Sequence, residues 1–389
     1  MHKLNFLAVL CLACSSVVGI SGCSFYPSGN SGPAADVTVV QSTDLGAIGS
    51  NPKILGRDGG YSGVFGGYAV WLYGDTFLAN PNAEGQTLIS DSWSFTSDLN
   101  AQDGITGFQE REDSVGAPTM FLQLTATEQA FNAAHAGSPC QQQPCGARWA
   151  LWPGAMVADP TGNRALVFYQ IVSAQPGNFN FQTVGYSIAT WQNFADLPQR
   201  PTINPAAEHP DLLFSQNQPS FGSAALVDGD TLYAYGCYNS LLSVACDLGR
   251  VDLANVTDLS EWTFYAGNGN WSSQLSDAMW VFTANHILNV SWNDYLQKYV
   301  AVYNHPLSGD VVIRTAPAPE GPWSAEVMAF EAMAPASGQG PIDDAQAHPE
   351  YNANGGQIMF VTYSRGTGPF TSEERLVSVQ LQLAAAPSQ

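Results

Sequence analysis

Short apolar runs ending in tyrosine recur along the chain, with polar and glycine-rich punctuation between them. They are Val70-Trp71-Leu72-Tyr73, Leu166-Val167-Phe168-Tyr169, Leu232-Tyr233-Ala234-Tyr235, Val300-Ala301-Val302-Tyr303 and Phe360-Val361-Thr362-Tyr363. The closing tyrosines stand 96, 66, 68 and 60 residues apart. Runs this short, rich in β-branched and aromatic residues, predict strands rather than helices. A turn precedes each: Gly66-Gly67, Asp159-Pro160-Thr161-Gly162, Asp228-Gly229-Asp230, Asn293-Asp294 and Asn352-Ala353-Asn354-Gly355. Most runs are followed by a further strand candidate, such as Ser92-Trp93-Ser94-Phe95, Val184 to Ile188, Val311 to Arg314 and Leu376 to Val379. Five units of hairpin plus outer strands predict an all-β, five-bladed β-propeller. A two-sheet sandwich is the alternative, but it does not call for five equivalent units.

The first interval is oversized and marks an insertion over residues 101–147. Within it Thr125-Ala126-Thr127-Glu128 matches a capping box ahead of Gln129 to His135, so a short helix is expected after the first blade. Insertions of this kind extend loops over one propeller face and here would wall the binding side.

The chain's start has a different pattern. Lys3, the apolar stretch from Phe6 to Ile20 and the closing Ile20-Ser21-Gly22-Cys23 read as an export signal over residues 1–22. The stretch is too short for a stable membrane span. Its end resembles the bacterial lipobox, which implies cleavage before Cys23 and lipidation of that residue. An ordinary signal peptide is the alternative. Ser24 after the cysteine resembles sorting to the outer membrane in a Gram-negative cell. Residues 23–36 then serve as anchor and flexible tether, residues 37–383 as the propeller and residues 384–389 as a tail. Four of the seven cysteines remain, and the local pairings Cys140–Cys145 and Cys237–Cys246 are expected. Their spacings fit zinc patterns poorly, and loop-stapling disulfides suit an oxidising compartment.

Charge narrows the partners. With 12 basic and 33 acidic residues the formal net charge is −21, which repels phosphate backbones and argues against nucleic acid. Contact with a membrane is then expected through the lipid anchor alone. A monomer is the default expectation.

Candidate chemistry centres on the first hairpin. If Gly66-Gly67 is a two-residue turn, Phe65 pairs with Tyr68 and Asp58 falls directly opposite Asp75. Facing like charges destabilise a sheet, so such a pair points to a shared proton, a cation or a substrate. In a propeller the innermost strands line the channel. They are expected to offer Asp58, Arg148 to Trp152, Gln218 to Phe221, Trp280 to His286, and Asp343, Asp344, His348 and Glu350. Carboxylates, amides and flat rings in one funnel suit sugar binding, and paired acids suit glycosidic cleavage. Trp152 and Trp280 are candidate stacking platforms. His286, His348, Asp91 and Glu350 are candidate substrate contacts, each with a structural alternative. No bound cofactor is expected, although a structural Ca²⁺ held by the facing carboxylates in the channel is a third reading.

Gly56-Arg57-Asp58-Gly59-Gly60, Trp71-Leu72-Tyr73-Gly74-Asp75-Thr76, Asp91-Ser92-Trp93-Ser94-Phe95-Thr96, Trp152-Pro153-Gly154-Ala155 and Gly321-Pro322-Trp323-Ser324 together resemble domain-of-unknown-function family 4185. That family is similar to five-bladed glycoside hydrolases, and some members form the endo-D-arabinanases of glycoside hydrolase family 183. The resemblance covers residues 45 to 380. It implies that Asp58 and Asp75 are a catalytic carboxylate pair acting on a furanose-containing, arabinan-type glycan. The alternative from another class is a non-catalytic glycan-binding or surface-interaction propeller.

Overall fold

The computed structural model describes residues 32–384, apart from 178, 241–242, 307 and 337–341. Five antiparallel sheets are arranged as five blades. The first holds β2 (Ile54–Phe65), β3 (Tyr68–Leu78), Ser92–Thr96 and Gln109–Glu110, with Leu88–Ile89 also paired to β3. The second runs outward from Arg148–Asp159 through Arg164–Ala174 and Phe181–Trp191 to Phe214–Ser215. The third runs from Ser220–Asp228 through Thr231–Ser240 and Ser243–Asp252 to Thr263–Tyr265 and Trp271–Ser272. The fourth is Asn289–Asn293, Lys298–Asn304, Asp310–Ala316 and Val327–Glu331.

The fifth blade is completed from both ends of the chain. Ile342–Ala347, Ile358–Gly368 and Thr371–Leu383 are joined at the outer edge by β1 (Val37–Ile48). Val37 pairs with Leu383 and Ile48 with Glu374. Residues 32–36, expected as the end of a tether, lie against the fourth blade. Ala325 N–H donates to the Pro33 carbonyl at 2.8 Å, and Asp36 binds Lys298 and Thr315. Cys23, the signal segment and residues 385–389 lie outside the described residues.

All five tyrosine-terminated runs form second strands, which explains their unbroken apolar character. A second strand is covered on both faces by neighbouring blades, so it has no polar face to alternate with. Val70, Leu166, Leu232, Val300 and Val361 are fully buried, and the five tyrosines are at most 2% exposed. The apolar core lies between blades: Leu72, Phe168 and Trp191 join the first to the second, and Tyr235, Val290 and Tyr303 the third to the fourth. Trp71 and Phe360 close the ring between first and fifth.

The expected helix is α1 (Ala126–His135). Thr125 and Glu128 form the reciprocal cap, with Glu128 N–H donating to Thr125 Oγ1 at 3.3 Å and Thr125 N–H to Glu128 Oε2 at 2.8 Å. Glu128 also receives Arg200, which binds Asp211 in turn, so the helix is held to the second blade. Both disulfides form, Cys140–Cys145 and Cys237–Cys246. No helix among the described residues is long and apolar enough to cross a membrane.

Candidate active site

The hairpin keeps its expected register from Phe65↔Tyr68 to Tyr61↔Leu72, and again at Arg57↔Thr76. Between those points two irregularities of opposite sense intervene. Gly59 pairs with Tyr73, which leaves Asp58 facing the two residues Gly74 and Asp75, and Gly60 is then the extra residue on β2. Gly59 and Gly60 have φ of +98° and +116°, where a side chain would be strained, and a Cβ on Gly60 would meet Glu374 Oε1 at 3.2 Å. The expected direct pairing of Asp58 with Asp75 is therefore corrected. The bulge lifts both carboxylates out of the ladder, a common device for re-aiming a side chain beside a site.

They remain near enough for the charge of Asp75 to act on Asp58. Asp58 is open to solvent yet recessed among protein atoms. Burial, then the charges of Asp75 and Asp343, pushes its carboxyl up to about 6. Asp75 has a different environment. Arg148 Nη2 donates to both its oxygens, at 3.2 and 3.0 Å, and the Trp152 indole N–H donates to Oδ1 at 3.0 Å. Arg148 and Trp152 lie at the start of the second blade's innermost strand. That start is braced by the insertion: Asn132 of α1 exchanges two hydrogen bonds with the Trp149 backbone, at 2.9 and 2.7 Å. The Cys140–Cys145 loop closes back onto the helix through Gly146 N–H to the His135 carbonyl at 2.7 Å.

The fifth blade supplies two more acids from its innermost strand. Asp344 is buried, has φ +62°, and its Oδ2 accepts the Gly59 N–H at 2.8 Å. Burial, then the charges of Asp58 and Asp343, drives its carboxyl well above the usual range. Asp343 faces solvent and is raised by burial. Glu374, behind Gly60, is pushed up to about 7 by burial. Beneath this group Tyr61 reaches from the first blade to the Ser223 carbonyl of the third, at 3.4 Å. No group of three or more His, Cys, Asp or Glu among the described residues is arranged to hold a metal ion.

Other candidates lie elsewhere. Asp91 is fully buried, and its Oδ1 accepts the N–H groups of Phe121 and Leu122 at 2.6 and 3.1 Å. Burial raises it to about 7. His348 is also fully buried, against Trp71 with ring centroids 4.2 Å apart. Its ring nitrogens meet Ser62 Oγ at 2.6 Å and Thr362 Oγ1 at 2.8 Å, and burial lowers it to about 3, so it is neutral. Ser62 Oγ also donates to Glu350, whose carboxyl burial raises to about 7. This buried network joins the first and fifth blades. His286 lies at the third blade, with Nε2 3.1 Å from Asn239 Oδ1. Trp280 was expected on the fourth blade's innermost strand, but Asn289–Asn293 fills that place. Trp280, 53% exposed, instead precedes Phe282–Ala284, which pairs with the third strand of the third blade.

The family described as domain of unknown function (DUF4185) matches the chain over residues 33–364. The chain belongs to this family. Among solved structures, a candidate hydrolase from Bacteroides ovatus ATCC 8483 is similar to this DUF4185 protein at 14% identity and a TM-score of 0.54, with 86% of this chain and 87% of that chain covered. The α-L-arabinofuranosidase PaAbf62A from Podospora anserina, in complex with cellotriose, is 10% identical with a TM-score of 0.45, covering 90% and 100%. Zg3597, a family 117 glycoside hydrolase of Zobellia galactanivorans, is 11% identical with a TM-score of 0.47, covering 90% and 92%. What the Bacteroides protein shares with the DUF4185 chain at this identity is the fold. No curated protein matches the chain.

Of the contributors to the DUF4185 site, Arg148 and Asp344 were expected on innermost strands without an assigned role, and Glu374 was not expected there at all. The pairing role of Arg148 was discoverable, because cations are scarce and this one opens an innermost strand. Nothing in the residue pattern announces the positive φ of Asp344 or the approach of Glu374 behind Gly60.

Proposed function

We propose that this protein is an exported, lipid-anchored glycoside hydrolase that cleaves a furanose-containing, arabinan-type polysaccharide with Asp58 and Asp75. One observation carries the proposal: of two neighbouring carboxylates, Asp58 is raised to about 6 and Asp75 is ion-paired with Arg148. Asp58, raised to about 6, holds the proton and gives it to the leaving glycosidic oxygen as general acid. Asp75, its charge compensated by Arg148, acts as base on water or as nucleophile at the anomeric carbon. Asp344 binds the Gly59 N–H and so positions Asp58. The partly exposed Trp152, tied to Asp75, lies where a sugar face would stack. The furanose class rests on the motif resemblance, the anchor on Cys23 and its preceding residues, and export also on the two disulfides.

A second reading, a non-catalytic glycan-binding propeller, is favoured by the engagement of both Asp75 oxygens. The soluble domain, residues 37–383, is assayed against arabinans, arabinogalactan and other furanosides, with Asp58→Asn and Asp75→Asn in parallel. Cleavage by the wild type, lost in both variants while binding persists, supports the enzyme. Binding without cleavage by the wild type supports the second reading.

A further inference from the structure

Two aromatic rings, one of them on the strand that carries Asp75, have no part in the chemistry above. Phe77 lies two residues beyond Asp75 on β3, where the ladder has regained its register. Alternate residues of a strand share a face and stand roughly 6.7 Å apart, about the reach of one sugar unit. The burial along β3 follows that alternation: Thr76 and Leu78 are buried, whereas Asp75 and Phe77 are both half-buried. The second ring, Phe370, comes from the hairpin turn between Ile358–Gly368 and Thr371–Leu383 of the fifth blade. Its centroid is 5.1 Å from that of Phe77, with the rings tilted by 40°.

Phe370 is an outlier in two ways. It is 58% exposed, and its φ is +58°, a left-handed conformation that is strained for a bulky residue. A strained aromatic that buries little surface contributes poorly to folding, and such residues cluster at ligand clamps. The turn is also fastened to the strand that carries Asp58. Arg57 N–H donates to Ser372 Oγ at 3.1 Å, and that hydroxyl is 3.2 Å from the Arg57 carbonyl. At Gly56 a Cβ would lie 2.8 Å from Ser372 N, so the turn packs directly on β2.

We propose that Phe77 and Phe370 form a stacking subsite for the sugar unit adjacent to the bond held at Asp58 and Asp75. This subsite rests on the reading of those carboxylates as a glycosidase pair. The rings offer a flat apolar surface to the C–H face of a furanose, and the neighbouring acids accept its hydroxyl hydrogens. The chain's net charge of −21 disfavours an anionic unit, so the subsite takes a neutral sugar.

The test measures kcat/KM on a ladder of arabinofuranosyl oligosaccharides from the disaccharide upward. Binding of the longest member is measured separately in the Asp58→Asn background. In the Phe77→Ala/Phe370→Ala variant, chains long enough to reach the ledge lose roughly tenfold, while the disaccharide loses less than about twofold. Phe370→Leu, which keeps bulk but not the ring, shows most of its loss on the long chains, and Phe370→Tyr keeps the wild-type ratio. An equal loss at every length, or a Phe370→Leu variant with the wild-type length dependence, overturns the subsite while leaving the carboxylate pair intact. A wild type that neither cleaves nor binds any furanoside overturns both.

Discussion

Replacing Arg148 by glutamine removes a charge from the candidate site while leaving an amide that can still reach Asp75. Arg148 Nη2 is 3.2 and 3.0 Å from the two Asp75 oxygens, and the side chains are 24% and 20% exposed. A hydrogen bond to a charged group contributes about 1.5–3 kcal/mol, and partial exposure takes this contact to the lower end of that range. About 1.5 kcal/mol is roughly a tenfold loss in kcat/KM if Asp75 must be held in place and charged during the reaction. The pH profile supplies a sharper readout. Asp58 is raised first by burial and then by the Asp75 charge. With Arg148 gone, that charge is uncompensated and raises Asp58 further, so the alkaline limb moves upward, by roughly half a pH unit. The assay is kcat/KM from about pH 4 to 9 on an arabinan oligosaccharide for the wild type, Arg148→Gln and Arg148→Lys. Lysine restores the charge without the planar fork and should return the limb but only part of the rate. An alkaline limb that stays put or moves down in Arg148→Gln would refute the coupling.

The remaining predictions concern proton uptake and bracing. In the wild type, kcat/KM falls as pH rises through about 6, because Asp58 must be protonated to act as acid; a rate that climbs through that window reverses the assignment. Asp91 has a native value of about 7 against an ordinary 3.8, so the native state binds the proton more tightly between those values and stability falls as pH rises through them. Asp91→Asn keeps the acceptor for Phe121 and Leu122 but removes the buried charge. It should raise the melting temperature at pH 8, with roughly 4 kcal/mol as the upper bound, and flatten the pH dependence. Asp91→Ala, which leaves two buried N–H groups without an acceptor, should cost about 2–4 kcal/mol in denaturant titrations. Opening the Cys140–Cys145 loop with two serines should cost about 2 kcal/mol by loop entropy and lower kcat/KM through Arg148. Unchanged melting and turnover would separate that loop from the site.

The blades were legible because second strands are sandwiched between neighbours and so carry continuous apolar runs ending in tyrosine. The α1 cap was legible because Thr125 and Glu128 satisfy one another locally. β1 was not, because an outermost strand has little to bury: most of Gln41 to Leu45 is exposed, so no tyrosine-terminated apolar run marks it. Asp58 and Asp75 were found through an ideal ladder that the structure replaces with two compensating bulges. The Asp75 charge still acts on Asp58, and the second irregularity restores the register at Arg57 and Thr76. Trp280 was misplaced because the strand that follows it, Phe282–Ala284, adds to the third blade, and sequence order alone does not show which sheet edge a short apolar run will join.

The pairing of β1 with the chain's last strand imposes an order on assembly. Val37 meets Leu383, so the first strand to be synthesised is the last to find its place. Closing a loop of that span is slow, and it cannot begin until Thr371–Leu383 exists. Meanwhile β1 must wait as a lone edge, and its polar, largely exposed sequence is suited to waiting without sticking to other chains. Ring closure thus works as an inspection step: a chain cut off before residue 371 offers β1 no partner, and its fifth blade stays open.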